Sequence, residues 1–157
     1  MRHYPAILFV CLGNICRSPS AHAVFRHKAK AEGLSITTDC AGTQGFHKNA
    51  KPDERAVSAG MTRGYNFDGL FARRVVAEDF EKFDLILAMD HANFAELTDA
   101  CPEIYRHKIK MFLSFSDCDE EAVPDPYYGG AKGFEYVLDL IEDAADGLLE
   151  HIKAESR

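Results

Sequence analysis

The sequence predicts an α/β fold: a four-stranded parallel sheet, doubly wound so that helices cover both faces. Short apolar runs alternate along the chain with segments whose apolar residues recur at helical spacing. This alternation favours parallel strands joined by right-handed helical crossovers. The chain has 157 residues, of which 46% are hydrophobic, enough for one substantial core and too few for two ordinary domains. We therefore expect a single domain over residues 1–157.

Four apolar runs predict the strands, at residues 7–10, 34–40, 83–90 and 109–113. The first run is rich in β-branched and aromatic residues, which is typical of a buried strand. Ligands of such sheets bind beyond the carboxyl ends of the strands. The loops that begin at residues 11, 41, 90 and 114 should therefore share one edge. Asp90 ends the third strand, and we expect it to support the site by hydrogen bonding.

The helices are predicted over residues 18–32, 52–61 and 93–101, followed by a long last helix. Ser18 is a good N-cap for the first helix, because Pro19 then falls in the first turn, where its missing N–H costs nothing. Gly33 marks the end of that helix. The last helix is predicted from one broad apolar face, made of Phe134, Val137, Leu138, Ile141, Ala145, Leu148, Leu149 and Ile152.

The loop of residues 11–17 has the features of an anion site with a nucleophile at its base. It joins a strand to a helix, so its backbone N–H groups and the positive end of the helix can bind phosphate. Gly13 and Asn14 tolerate positive φ and let the loop curl. Arg17 offers a planar fork for two phosphate oxygens. The same positive field predicts that Cys11 is a thiolate at neutral pH.

A second motif stands in the long loop before the last helix. Pro124 and Pro126 hold Asp125 in a stiff, extended frame, and Tyr127 and Tyr128 follow it. A carboxyl group beside aromatic rings suits a general acid, because apolar surroundings favour its protonated form. By itself the motif is equally consistent with a turn whose aspartate caps the next element.

Together these motifs make the chain resemble the low-molecular-weight protein tyrosine phosphatases. The resemblance rests on Cys11-Leu12-Gly13-Asn14-Ile15-Cys16-Arg17-Ser18-Pro19 and on Asp125-Pro126-Tyr127-Tyr128-Gly129, and it extends through Ala41-Gly42-Thr43, Pro52-Asp53-Glu54-Arg55-Ala56 and Met89-Asp90. It therefore covers nearly the whole chain. Two distant motifs in the right order make coincidence improbable.

The resemblance implies a role for each matching residue. Cys11 would form a phosphocysteine, Arg17 would stabilise the phosphoryl oxygens, and Asp125 would act as general acid and then base. Ser18 would donate a hydrogen bond to the Cys11 thiolate, and Cys16 would form a reversible disulfide with Cys11 under peroxide. The implied phosphate-binding loop comprises Leu12, Gly13, Asn14, Ile15, Cys16 and Ser18, and the implied substrate cleft is lined by Phe46, Tyr127 and Tyr128. Phe46 stands where the family more often has tryptophan or tyrosine.

Composition narrows the classes of partner. The formal net charge of −7 argues against nucleic-acid binding. No apolar stretch approaches the roughly 20 residues needed to span a bilayer. Five cysteines at irregular positions suit a reducing compartment. These features predict a cytoplasmic protein. The resemblance implies a phosphatase that needs no metal or other cofactor and whose partner is a phosphotyrosine-containing protein or peptide, and we expect a monomer with at most weak self-association.

Three alternatives remain open from the residues. The thiols Cys11 and Cys16 could bind a metal together with His22 or another histidine, but a second paired ligand set is missing. A thioredoxin-coupled arsenate reductase resembles this fold and loop, yet it needs a close downstream thiol pair, which Cys101 and Cys118 do not form. A catalytically silent phosphotyrosine-binding module would be expected to lack either the nucleophile or the acid.

Overall fold

The computed structural model describes residues 4–126 and 130–155. The strands are β1 (Ile7–Cys11), β2 (Thr38–Gly42), β3 (Leu85–Ala88) and β4 (Ile109–Met111). The helices are α1 (Arg17–Ala31), α2 (Glu54–Thr62), α3 (Ala77–Lys82), α4 (His91–Ala100) and α5 (Gly130–Glu155). Two 3-10 helices, Glu103–Lys108 and Phe112–Phe115, flank β4.

All four strands are parallel and form one sheet in the order β2-β1-β3-β4. β2 lies on one side of β1, and the next strand along the chain, β3, lies on the other side. The strand order therefore reverses at β1. Beyond the carboxyl end of a strand at such a switch point, an α/β sheet leaves a crevice for ligands. The loop after β1 begins at this place.

The side chains of β1 alternate between two apolar layers, because successive residues of a strand point to opposite faces. Phe9 belongs to the layer that contains α1 and α5, whereas Val10 belongs to the layer that contains α3 and α4. All eight residues of the predicted apolar face of α5 are at most 3% exposed. The predicted parallel sheet with helices on both faces is confirmed.

Several predicted boundaries were wrong, because end residues serve as caps. The second strand begins at Thr38 and not at Leu34, whose N–H donates to Ala29 O and ends α1. The third strand spans only residues 85–88 of the predicted 83–90, and Asp90 beyond its end is the N-cap of α4, which accepts from Asn93 N–H at 2.7 Å. Helix α3 was not predicted.

Ser18 was wrongly predicted as the N-cap of α1. The helix begins at Arg17 with Cys16 as N-cap, and Cys16 makes no side-chain capping bond. Ser18 lies inside the first turn, completely buried. Its hydroxyl is directed to the loop after β1 instead, with consequences for Cys11.

Candidate active site

The loop between β1 and α1 curls around the sulfur of Cys11. Asn14 adopts φ 56°, the left-handed conformation that asparagine tolerates. This turn brings Asn14 N–H to 3.3 Å from Cys11 Sγ. The Asn14 side chain is held by Cys40 O, which accepts from Nδ2 at 3.4 Å. Backbone strain at Asn14 is thus offset by hydrogen bonds that place a donor beside the sulfur.

Ser18 closes this network from the first turn of α1. Its Oγ lies 3.1 Å from Cys11 Sγ and 2.6 Å from Asn14 Oδ1. Cys11 is 2% exposed and Asn14 is 1% exposed. The thiol therefore sits on the floor of the site with polar partners on two sides.

Hydrogen bonds from two neighbouring segments, the loop after β2 and the residue before α2, hold the loop of residues 11–17 in place. Thr43 N–H donates to Cys11 O at 2.9 Å, and Gln44 N–H donates to Leu12 O at 3.0 Å. Asp53 N–H donates to Ile15 O at 2.8 Å. These contacts satisfy three carbonyls of the loop and hold its backbone in place.

Arg17 is a buried cation with a buried set of partners. The residue is 3% exposed. Its Nη1 donates to Asp90 Oδ2 at 2.7 Å and to Val123 O at 3.0 Å, and its Nη2 lies 4.0 Å from Asp125 Oδ2. The supporting role expected for Asp90 is thus its ion pair with Arg17, and Asp125 reaches the same guanidinium from the loop before α5.

A cleft of about 280 Å³ opens above the thiol. Its walls are Cys11, Leu12, Gly13, Ile15, Cys16, Arg17, Phe46, His47 and Asp125. Phe46 is 71% exposed. Asn14 and Ser18 lie beneath the floor, while Tyr127 and Tyr128 fall outside the described residues. The structure thus brings together the described residues that the sequence singled out.

Cys16 lies in the wall of the cleft and packs against Ala56 and Phe134. Burial, followed by the negative charge of Asp53, raises its pKa to about 12. Cys16 is therefore a neutral thiol at physiological pH.

Sequence reasoning missed His47, whose ring approaches Gly13. A Cβ on Gly13 would lie 3.0 Å from His47 Cδ2. It also missed Asp53 as a support of the loop, since this residue reads as part of a helix start. Neither contact has a local sequence signal, because each depends on loops that meet only after folding.

Comparison with known proteins agrees with this geometry. The family model for low molecular weight phosphotyrosine protein phosphatases matches residues 6–157. The low molecular weight protein-tyrosine-phosphatase YfkJ of Bacillus subtilis is 41% identical over 155 residues, covering 97% of this chain and 98% of its own. The human low molecular weight phosphotyrosine protein phosphatase is 38% identical over 136 residues, covering 84% and 85%.

Among solved structures, the protein tyrosine phosphatase of Entamoeba histolytica with Hepes in its active site superposes with a TM-score of 0.93. It is 43% identical and the match covers 98% of this chain and 99% of that one. Among the described residues, no helix combines the length and apolar character needed to cross a membrane. The relatives are hydrolases, and the chain belongs to the low molecular weight phosphotyrosine protein phosphatase family.

Proposed function

We propose that the chain hydrolyses phosphotyrosine, and small aryl phosphates, through a phosphocysteine on Cys11. The observation that carries this proposal is the surroundings of Cys11 Sγ. The sulfur lies on the floor of a cleft, 3.3 Å from Asn14 N and 3.1 Å from Ser18 Oγ. The Asn14 N–H donates to the sulfur and so stabilises a thiolate, which is the reactive form of cysteine, while the single Ser18 proton is directed to Asn14 Oδ1.

The first chemical step transfers the phosphoryl group to sulfur. Cys11 Sγ attacks phosphorus, and the bond from phosphorus to the tyrosine oxygen breaks as the new bond forms. Arg17 and the N–H groups of residues 12–17 stabilise the nonbridging oxygens. Asp125 protonates the leaving phenolate, which matters because a tyrosine hydroxyl has a pKa of about 10.

The second step regenerates the enzyme. Asp125, now a carboxylate, takes a proton from a water molecule that attacks the phosphocysteine. The sulfur leaves as a thiolate and inorganic phosphate is released. Ser18 has one proton to donate, and in this step it turns from Asn14 Oδ1 to the departing sulfur, which improves the leaving group.

The cleft walls are proposed to select the substrate. Phe46 projects from the loop after β2, and Tyr127 and Tyr128 follow Asp125 in the chain. An aromatic slot favours the flat ring of phosphotyrosine. A short phosphoserine side chain reaches Cys11 less well at the bottom of such a slot. The partner is accordingly a phosphotyrosine-containing protein or peptide.

Cys16 is proposed to protect the nucleophile from oxidation. Peroxide converts the Cys11 thiolate to a sulfenic acid, and Cys16 condenses with it to give a disulfide and water. We expect mass spectrometry of peroxide-treated protein to show this disulfide. In the Cys16→Ser variant, Cys11 should instead proceed to sulfinic acid. Recovery of activity by dithiothreitol to the same extent in both proteins would contradict the role.

The decisive experiment measures hydrolysis of aryl phosphates by the Cys11→Ser and Asp125→Ala variants. Cys118→Ser serves as the matched control, because this thiol is only partly buried and does not line the cleft. Cys11→Ser should be inactive. Asp125→Ala should slow phenyl phosphate much more than an ester of a strongly acidic phenol, because the latter leaves without a proton. Full activity of Cys11→Ser would overturn the mechanism, and equal losses on both esters would remove Asp125 from its role.

The arsenate reductase alternative gains no support. The downstream thiols Cys101 and Cys118 lie in different apolar layers. Thioredoxin-dependent arsenate reduction without phosphatase turnover would reverse this choice. A single domain over residues 1–157, a cytoplasmic location and a monomeric state remain proposals that rest on the sequence.

A further inference from the structure

A second cluster of chemically active side chains lies outside the active site. It consists of His22 on α1 and of Asp39 and Cys40 on β2. His22 Nδ1 lies 3.4 Å from Cys40 Sγ. One potential ligand atom from each residue lies within 4.8 Å of the other two. His22 is 5% exposed and Cys40 is 2% exposed. The proposed phosphatase mechanism uses none of the three.

Neighbouring groups hold these side chains by hydrogen bonds, in the way that the ligands of a metal site are oriented by the groups around them. His22 Nε2 lies 3.0 Å from Thr38 Oγ1, so its N–H can donate there while Nδ1 presents a lone pair to the cluster. The Asp39 carboxylate accepts from Cys40 N–H at 2.8 Å and from Arg73 Nη2 at 3.1 Å. The positions of the ring and the carboxylate are therefore fixed before any ligand binds.

Binding of a metal ion to Cys40 releases the thiol proton, because the thiolate is the form of cysteine that coordinates a metal. Cys40 and Asp39 then carry two negative charges, and the charge of Asp39 is shared with the Arg73 guanidinium, which lies 3.1 Å away.

A surface pocket gives access to the cluster. It has a volume of about 490 Å³, and His22, Arg26, Asp39 and Cys40 are among its walls. The Arg26 guanidinium is engaged elsewhere, since Nη2 donates to Asn66 O at 2.7 Å. Water from this pocket can complete a four-coordinate site.

We propose that His22, Asp39 and Cys40 bind a Zn²⁺ ion. One imidazole, one thiolate and one carboxylate form a donor set that suits this borderline-soft cation. The separation of 3.4 Å between Nδ1 and Sγ fits two ligands of one tetrahedral zinc, whose bonds are about 2.0 and 2.3 Å long. The competing interpretation is a thiol and an imidazole that merely satisfy each other's hydrogen bonds in the core.

The site is connected to the phosphate-binding loop. Cys40 O accepts from Asn14 Nδ2 at 3.4 Å. Asn14 in turn places its own N–H beside Cys11 Sγ. Zinc at Cys40 is thus two contacts away from the nucleophile, although binding itself does not depend on the proposed phosphatase chemistry.

The test uses Co²⁺ as a spectroscopic probe, followed by competition with Zn²⁺. All further substitutions are made in the Cys11→Ser protein, because this protein lacks the other reactive thiol. We expect one equivalent of Co²⁺ to produce the near-ultraviolet absorption of a cobalt thiolate, and Zn²⁺ to abolish it. Adding Cys40→Ala should remove this band. Adding Cys101→Ala should leave it unchanged, because Cys101 is a comparably buried thiol that lies outside the cluster.

A milder change removes the hydrogen bond between Thr38 and His22 without removing a ligand. Thr38→Val keeps the side-chain shape and should weaken Co²⁺ binding by roughly 10–100-fold. This measurement decides the question if the Cys40→Ala protein does not fold by circular dichroism. A missing thiolate band in the Cys11→Ser background, a band that survives Cys40→Ala, or unchanged affinity in Thr38→Val would overturn the proposal.

Discussion

The proposed mechanism places Arg17 against the phosphoryl oxygens of the substrate, and the structure makes Asp90 its principal partner. The ion pair between Arg17 Nη1 and Asp90 Oδ2 is 2.7 Å long and the arginine side chain is 4% exposed. Asp90→Asn would place an amide against the guanidinium while its oxygen still caps α4 through Asn93 N–H. A lost charged hydrogen bond is worth about 1.5–3 kcal/mol. We therefore expect kcat/KM for an aryl phosphate to fall by roughly 10- to 100-fold.

Measurements of stability distinguish this loss of kcat/KM from a general loss of folded structure. Because the helix cap is retained, the free energy of unfolding of Asp90→Asn should change by less than about 1 kcal/mol. Asp90→Ala removes the cap as well, so it should lose both activity and about 1 kcal/mol of stability. Urea unfolding and steady-state kinetics measure the two quantities. An Asp90→Asn enzyme with normal kcat/KM would show that Val123 O alone holds Arg17.

At the scale of elements, Gly42 allows the end of β2 to pack against the loop after β1. A Cβ at this position would lie 2.8 Å from Leu12 O and 3.1 Å from Gly13 C. Both neighbours are backbone atoms of the loop of residues 11–17, so Gly42→Ala must displace that loop. We expect a large loss of kcat and a loss of stability of about 1–3 kcal/mol. Gly45→Ala is the matched control, because its Cβ would meet only the Arg74 side chain, at ordinary contact distance.

Asp53, the N-cap residue of α2, is hydrogen-bonded to the loop of residues 11–17. The Asp53 side chain accepts from Arg55 N–H, and Asp53 N–H donates to Ile15 O. Hydrogen bonding to the Arg55 side chain lowers the pKa of Asp53. A depressed folded-state pKa stabilises the protein above the ordinary value near 3.8, and this stabilisation is lost as pH falls through the lower folded value.

Asp53→Asn keeps a capping oxygen and removes the charge. Its deficit in unfolding free energy relative to the wild type should be present at pH 7 and should shrink once the pH falls below about 4. Urea unfolding at several pH values measures this difference. Asp99→Asn, which removes one charge at an exposed position of α4, is the control for the loss of a surface charge. A deficit for Asp53→Asn that stays constant with pH would assign the effect to packing and not to charge.

Local sequence patterns predicted those parts of the site that are built from residues adjacent in the chain. The loop of residues 11–17 was predicted because a strand, a cysteine, an arginine and a helix follow one another. The pairing of Arg17 with Asp90 joins residues 73 positions apart, and no short-range pattern encodes it. Helix α3 was missed for a related reason, since only Asp79 and Phe80 among its six residues are buried. Ser18 was misassigned because the hydroxyl that could cap a helix bonds instead to a neighbouring loop.

At the scale of the whole molecule, the cleft lies at the carboxyl edge of the sheet, and the long helix α5 covers one face of that sheet. Loops after β1, β2 and β3 all contribute to the cleft or its supports, which explains why the parallel topology predicted their proximity. Helix α5 covers the layer that contains Phe9, and it packs on α1 and on the 3-10 helix Phe112–Phe115. The position of α5 therefore affects the packing of β1 and α1, the two elements that flank the loop of residues 11–17.

Gly147 determines how closely α5 approaches that 3-10 helix. A Cβ on Gly147 would meet the Phe115 carbonyl well inside van der Waals contact. Because that neighbour is backbone, Gly147→Ala must move α5 outward and open the apolar layer. We expect a loss of at least about 1–3 kcal/mol in unfolding free energy, together with reduced activity. Gly133→Ala, in the same helix, meets only contacts of 3.7 Å and should gain up to about 1 kcal/mol from helix propensity. Urea unfolding of the two variants should thus give shifts of opposite sign, and a Gly147→Ala protein as stable as Gly133→Ala would contradict the close packing of α5.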